Sequence, residues 1–265
     1  MALKRFHDPG SGAMRVAGFM SGSGTNLRRI LEHQGSSKKR EGASPYEVVV
    51  IFSDSAASSA PAIGKDFDIP VITRDLRAYC KARGRPRRDM AVREEFDLET
   101  LKALKPYGVS FAAYAGYMSV ASRALINGFP GINVHPADLG IKEGGGRKYR
   151  GDHAVADAIR AGEKTICSTT HIVEEAVDEG RILMISDGLS VEIGEGLAIG
   201  KDIEKIESVN QDRLKKAGDW VIFPATLRLI AEGRFSYDEA SGLVHFDGKP
   251  APDGIRPGDA EEKPG

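Results

Sequence analysis

Apolar residues arrive in short runs divided by polar, turn-forming residues. Met14–Met20 is a compact apolar run that leads into Ser-Gly-Ser-Gly-Thr-Asn. Leu27, Ile30 and Leu31 then recur at helical spacing. The stretch 35–45 is polar and glycine-containing and reads as an insert. Residues 46–54, Tyr-Glu-Val-Val-Val-Ile-Phe-Ser-Asp, form the continuous β-branched run expected of a strand buried on both faces. Residues 60–73 predict a short helix and a third strand. The strongly basic stretch 74–90 predicts an exposed insertion, and 93–107 an amphipathic helix. A fourth strand is predicted in 108–118 and a fifth at 132–135.

Beyond Gly140 the pattern changes. Residues 140–151 read as a glycine-rich loop and 152–164 as a helix. Residues 165–186 predict two strands around a turn, and helices are predicted in 202–216 and 219–235. Strand and helix alternate over the first ~135 residues, which argues for an α/β fold with a doubly wound, mostly parallel sheet. The N-terminal half is then Rossmann-type and the C-terminal part an antiparallel extension. The expected organisation is a flexible arm over 1–13, a single domain over 14–250 with halves 14–135 and 136–250, and a flexible tail over 251–265.

Composition narrows the function classes. The 265 residues carry 37 basic and 38 acidic side chains, so nucleic acid or an anionic membrane is not expected as the main partner. No apolar run approaches the roughly 20 residues that span a bilayer. Two cysteines, Cys80 and Cys167, make no disulfide framework and suit a reducing cytoplasm. Neither has a Cys or His at metal-ligand spacing, and no metal is expected.

Two stretches carry candidate chemistry. Gly22, Ser23, Gly24, Thr25 and Asn26 join the first strand to the first helix, where backbone N–H groups can face an anion. Leu27 stands where a dinucleotide fingerprint needs its third glycine, and no Gly-Lys-Ser/Thr follows. A phosphomonoester fits this loop, as does a plain turn with a helix cap. In the run Ile132-Asn133-Val134-His135, alternation puts Asn133 and His135 on one strand face. An amide that donates to a developing oxyanion beside a proton-carrying imidazole suits attack of an amine on a carbonyl-level carbon. A strand-end histidine packed in a loop explains the pair equally well. Asp178, in a turn between two apolar strands, could orient that imidazole and favour its protonated form. Asp-Glu-Gly is also ordinary turn chemistry. His153 and His171 read as structural, His171 as a core histidine in an apolar strand.

Taken in order, the runs 22–27, 115–118, 132–139, 149–159, 168–180 and 219–234 resemble the phosphoribosylglycinamide (glycinamide ribonucleotide) formyltransferase family, from about Arg15 to Lys249. The resemblance implies formyl transfer from 10-formyltetrahydrofolate, the co-substrate, to a purine-pathway amine, with no metal. It implies catalytic roles for Asn133, His135 and Asp178 and phosphate binding by Gly22–Asn26. It further implies ribose binding by Asp219, where the family usually has Glu, and a folate site lined by Arg93, Tyr117 and Met118. The partners implied are small molecules, with no nucleic acid and no membrane, and the assembly a monomer or homodimer in the cytoplasm.

The chain departs from the family at three places. Ser119 stands where an arginine that engages folate is usual. The loop 138–149 is longer and glycine-rich, and the basic stretch around Cys80–Arg88 is unusual. These touch folate grip and acceptor access. Alternatives are a formyltetrahydrofolate hydrolase, a formyltransferase acting on another phosphorylated amine, a nicotinamide-dependent oxidoreductase using Asp54 to hold a ribose, and a non-catalytic folate- or phosphate-binding module.

Overall fold

The computed structural model describes residues 3–261. They fall into two compact units. One comprises 7–133 and 173–175; the other comprises 3–6, 134–172 and the residues from 176 onward.

The first unit holds β1 (Met14–Met20), α1 (Thr25–Glu41), β2 (Tyr46–Ser53), α2 (Ala60–Phe67), β3 (Val71–Thr73), α3 (Leu76–Ala82), α4 (Met90–Leu104), β4 (Phe111–Tyr114) and α5 (Arg123–Gly128). It also holds the first residues of β5 (Gly131–His135). The strands pair in parallel in the order β5-β4-β1-β2-β3. Phe19, Phe52, Phe96, Tyr114 and Phe129 form one packed core with Leu76 and Cys80. Gly18 lets α1 close on β1, since a Cβ there would lie 2.4 Å from Leu27 Cδ1. This is the α/β, mostly parallel arrangement that the strand–helix alternation predicts.

Two expectations fail here. The polar stretch 35–45 is helical as far as Glu41. Its amphipathic signal fades after Leu31, but Gln34 and Ser37 are buried, and Ser36 Oγ donates to Glu32 O at 2.9 Å. Lys38, Lys39 and Arg40 occupy the last turn, where cations complement the helix dipole. The basic stretch 74–90 is likewise not simply an insertion. Asp75 caps α3 by accepting from Ala78 N at 2.7 Å, and Leu76 and Cys80 reach the core. Arg77, Ala78, the run from Lys81 to Arg88, and Met90 remain exposed.

In the second unit, β6 (Thr169–Ile172) and β7 (Ile182–Ile185) pair antiparallel. Around them lie α6 (Ala154–Arg160), α7 (Ile199–Leu214) and α8 (Trp220–Ala231), with a π turn over Lys215–Asp219. That turn comes just ahead of Pro224, whose ring lacks the N–H that residue 220 would use. The expected glycine-rich loop is a hairpin. Lys142–Glu143 pairs with Gly146–Arg147 across Gly144 and Gly145, both at positive φ (60° and 87°), as a two-residue hairpin turn requires.

Neither terminal segment is a free end within the described residues. Leu3–Arg5 pairs antiparallel with β8 (Phe235–Asp238), which also pairs with β9 (Val244–Phe246). The Phe6 ring packs tilted against Tyr237, ring centroids 5.0 Å apart. Past residue 250, Ala251 and Ile255 are buried. Ile255 N donates to Leu183 O at 2.9 Å, and Ile255 O accepts from Ile185 N at 2.9 Å. A short helix occupies Pro257–Glu261. Within the arm expected over 1–13, Leu3–Arg5 is held in a ladder while 8–13 stay exposed, and within the tail expected over 251–265, Ala251 and Ile255 are buried; residues 1–2 and 262–265 lie outside the described residues. Ile255→Ala is expected to cost about 2–4 kcal/mol of unfolding free energy, measured by urea denaturation. A tail without packing would show no change.

Candidate functional site

In the second unit β5 ends at His135, whose ring is buried with 4 % of its surface exposed. Its Nδ1 lies 3.4 Å from Asp178 Oδ2, and its Nε2 donates to Tyr149 O at 3.1 Å. Asp178 has φ 56°, a left-handed conformation that Asp tolerates better than most residues. Two residues on, Gly180 presses against β6: a Cβ there would sit 1.7 Å from Ile172 O. The sequence Asp-Glu-Gly is thus a turn that aims one carboxylate inward.

That carboxylate has more partners than the sequence suggests. Gly151 N donates to Asp178 Oδ2 at 3.0 Å. His171 Nε2 approaches Asp178 Oδ1 at 3.6 Å, while His171 Nδ1 donates to Ile172 O at 2.9 Å. His171 is buried as expected, but it faces the carboxylate rather than being satisfied in the apolar core. Each imidazole therefore has an acceptor opposite both nitrogens. No neutral tautomer of either ring can donate to both partners, and only an imidazolium can.

Burial is the largest influence on both partners. It would raise the Asp178 pKa, but the contact with His171, the charge of His135 and the Gly151 N–H outweigh it and hold the carboxyl at about 2. For His135, burial lowers the pKa below 6.5; Asp178 opposes this, and His171 and Arg147 reinforce it. Asp178 raises the proton affinity of the ring, as expected of a carboxylate there, and burial acts against it.

Asn133 lies on β5 two residues before His135, half-buried, with its backbone opposite Tyr114 in the ladder. Its amide makes no hydrogen bond to a described residue. Asp219 lies in the π turn, buried, and accepts from Ser168 Oγ at 2.6 Å.

The remaining candidates belong to the first unit. Gly22 and Ser23 are exposed, and Thr25 and Asn26 begin α1. Gly24 is the N-cap of α1 at φ 66°, and no side-chain hydrogen bond caps this end of the helix. A Cβ on Gly24 would meet Ile63 Cδ1 at 2.5 Å and Met20 Cε at 2.6 Å, so the loop needs glycine for both conformation and space.

Met118 is 69 % exposed beside half-buried Tyr117, a surface that could meet a flat ligand. Arg93 is only 2 % exposed. Its NH2 group donates to Tyr117 OH at 3.1 Å, and its Nε faces Asp97 Oδ2 at 3.9 Å. It supports Tyr117 from below and does not itself face solvent. Ser119 donates to Asp54 Oδ2, and Ser21 Oγ donates to Asp54 Oδ1 at 2.6 Å. Both Asp54 oxygens accept from serine hydroxyls and the residue is buried.

Sequence reasoning missed His171 as a partner, and with it the Tyr149 carbonyl, the Gly151 N–H and Arg147. The Arg147–Gly151 segment carried a signal only through its likeness to relatives. Among the described residues there is no group of three or more His, Cys, Asp or Glu side chains arranged to hold a metal ion. Nor is any helix long and apolar enough to cross a membrane.

A formyl transferase family model matches residues 14–200, well over half of the chain. The chloroplastic phosphoribosylglycinamide formyltransferase of Arabidopsis thaliana is 30% identical over 171 residues, 64% of this chain and 53% of that protein. The trifunctional purine biosynthetic protein adenosine-3 of Homo sapiens is 26% identical over 227 residues, 85% of this chain and 19% of that protein. The chain thus spans about half the length of the plant relative and a much smaller part of the trifunctional ones. Among solved structures, glycinamide ribonucleotide transformylase 1 from Symbiobacterium toebii superposes with a TM-score of 0.66 at 26% identity, over 88% of this chain and 94% of that one. The phosphoribosylglycinamide formyltransferase of Coxiella burnetii shares the fold, with a TM-score of 0.65 at 23% identity over 92% of this chain and 99% of that one. With a match this long, and with a strand-end histidine held by a carboxylate in its second unit, the chain belongs to the formyl transferase family.

Proposed function

We propose that the protein transfers a formyl group from 10-formyltetrahydrofolate to the amine of glycinamide ribonucleotide. The observation that carries this reading is the buried His135–Asp178 pair at 3.4 Å. His135 Nε2 already donates to a carbonyl oxygen, that of Tyr149. A formyl oxygen presents the same kind of acceptor and would take that donor in its place.

The residues then have distinct tasks. The uncapped start of α1, with Gly22, Ser23, Gly24, Thr25 and Asn26, takes the substrate phosphate through backbone N–H groups and hydroxyls. Asp219 engages the ribose hydroxyls by exchanging its bond from Ser168. Tyr117 and Met118 offer a face to the pterin, and Arg93 stiffens that face through Tyr117. The amine nitrogen bonds to the formyl carbon, the bond from that carbon to the folate nitrogen breaks, and the amine proton ends on the released nitrogen. Asn133 and His135 donate to the formyl oxygen as negative charge develops there. That charge raises the proton affinity of His135, which burial lowers, and Asp178 offsets the resulting imidazolium. Oxyanion donors are typically worth about 10²–10³-fold in rate and positioned acid–base groups about 10²–10⁴-fold.

The direct test is absorbance-monitored turnover of 10-formyltetrahydrofolate with and without glycinamide ribonucleotide. Turnover is expected only with the amine present, and His135→Ala and Asn133→Ala are each expected to lose on the order of 10²-fold or more in kcat. Formate release without amine would replace this reading with the hydrolase. Near-normal kcat in both variants would remove the site assignment.

The charge balance has its own signature. A histidine whose folded pKa is depressed leaves stability intact above 6.5 and costs stability as pH falls from 6.5 through the lower folded value. The Asp178 carboxylate contributes stability above 3.8, which is lost as pH falls from 3.8 through about 2. By NMR, the His135 ring is expected to titrate below 6.5 in the wild type and lower still in Asp178→Asn. A wild-type midpoint at or above 6.5 would contradict the balance described.

A further inference from the structure

The segment Arg147–Gly151 touches the His135–Asp178 pair at three places. Tyr149 O accepts from the His135 ring, Gly151 N donates to the Asp178 carboxylate, and Arg147 holds the backbone of the Asp178 turn. The guanidinium of Arg147 is 11 % exposed and donates through NH1 to Asp178 O and through NH2 to Gly180 O, the latter at 2.7 Å. Its Nε faces Glu179 Oε2 at 3.8 Å, and Arg150 NH1 donates to Glu179 Oε1 at 2.6 Å. The hairpin sets where this guanidinium starts, since Arg147 pairs with Lys142 and Lys148 N donates to Ile141 O at 2.9 Å.

We propose that Arg147, delivered by the glycine-turned hairpin 142–147, is a positioning residue that locks the left-handed turn at Asp178 and so holds the carboxylate against His135 for the formyl transfer. The role rests on that reading of the site. A non-glycine residue at φ 56° is an uncommon conformation that neighbouring contacts help to hold. Two carbonyls two residues apart, gripped by one planar fork, supply those contacts. A lysine ammonium, a point charge on a flexible stem, lacks the planar fork that fixes both directions. The longer loop is therefore part of the pair's support as well as a change in access.

The test separates position from charge. Arg147 as a nearby cation lowers the proton affinity of His135, whereas Asp178 raises it. In Arg147→Ala, loss of charge alone moves the His135 titration midpoint up, whereas displacement of Asp178 moves it down. His171, the other titratable ring at the carboxylate, is followed in the same spectra. The expected result is a downward shift, with kcat lowered on the order of 10²-fold and KM for the amine little changed. Arg147→Lys is expected to recover part of both. On an Asp178→Asn background, Arg147→Ala is expected to change kcat by less than about two-fold, because its effect passes through Asp178. An upward or absent shift, or a full second loss in the double variant, would overturn the proposal. If Arg147→Ala does not fold, the sign of the shift in Arg147→Lys decides. The titration needs no turnover, so it still decides the role of Arg147 if the formyl-transfer reading itself fails.

Discussion

One carboxylate between two imidazoles is the constraint from which the rest of the second unit follows. Asp178 approaches His135 on one oxygen and His171 on the other, each ring having a carbonyl acceptor at its far nitrogen. Such a group costs free energy to bury unless its charge is matched and its lone pairs are occupied. The surrounding structure meets both needs: the Gly151 N–H occupies a lone pair, Arg147 fixes the turn, and Gly180 allows the turn to press against β6. The result is a histidine whose protonation is held in balance, burial against it and the carboxylate for it. A group in that state responds to charge appearing beside it, which is what acyl transfer to an amine produces.

Where the chain departs from its relatives, the structure gives each change a physical task. Ser119 ties the end of the Tyr117–Met118 segment to Asp54, at the end of β2. The basic stretch contributes a capped helix whose Leu76 and Cys80 complete an aromatic core. The glycine-rich loop is a hairpin that delivers an arginine to the backbone of the Asp178 turn.

Much of the fold was legible along the chain, and the reasons are local. Strands buried on both faces show as unbroken apolar runs, as at 46–53, and the βα turn at 21–26 shows through its glycines. Errors came where packing outweighed pattern. The polar end of α1 is helical because Gln34 and Ser37 are buried against the sheet and cations suit its C-terminus. The termini looked polar and loose, yet ladder hydrogen bonds at Leu3–Arg5 and Ile255 hold them. Of the site, Asn133 and His135 were readable together because strand alternation relates residues two apart. His171 was not, since an apolar strand hides which polar group its one imidazole faces.

By itself the sequence determined the alternating α/β pattern, the glycine turn at the start of α1 and the shared face of Asn133 and His135, because each depends on residues that are neighbours along the chain. Only the tertiary structure decided that Asp178 reaches His135 across 43 positions of sequence, that His171 shares the carboxylate, that Arg93 is a buried support, and that burial and Asp178 pull the His135 pKa in opposite directions. Those outcomes depend on burial and on the through-space balance of charges, and neither is encoded in spacing.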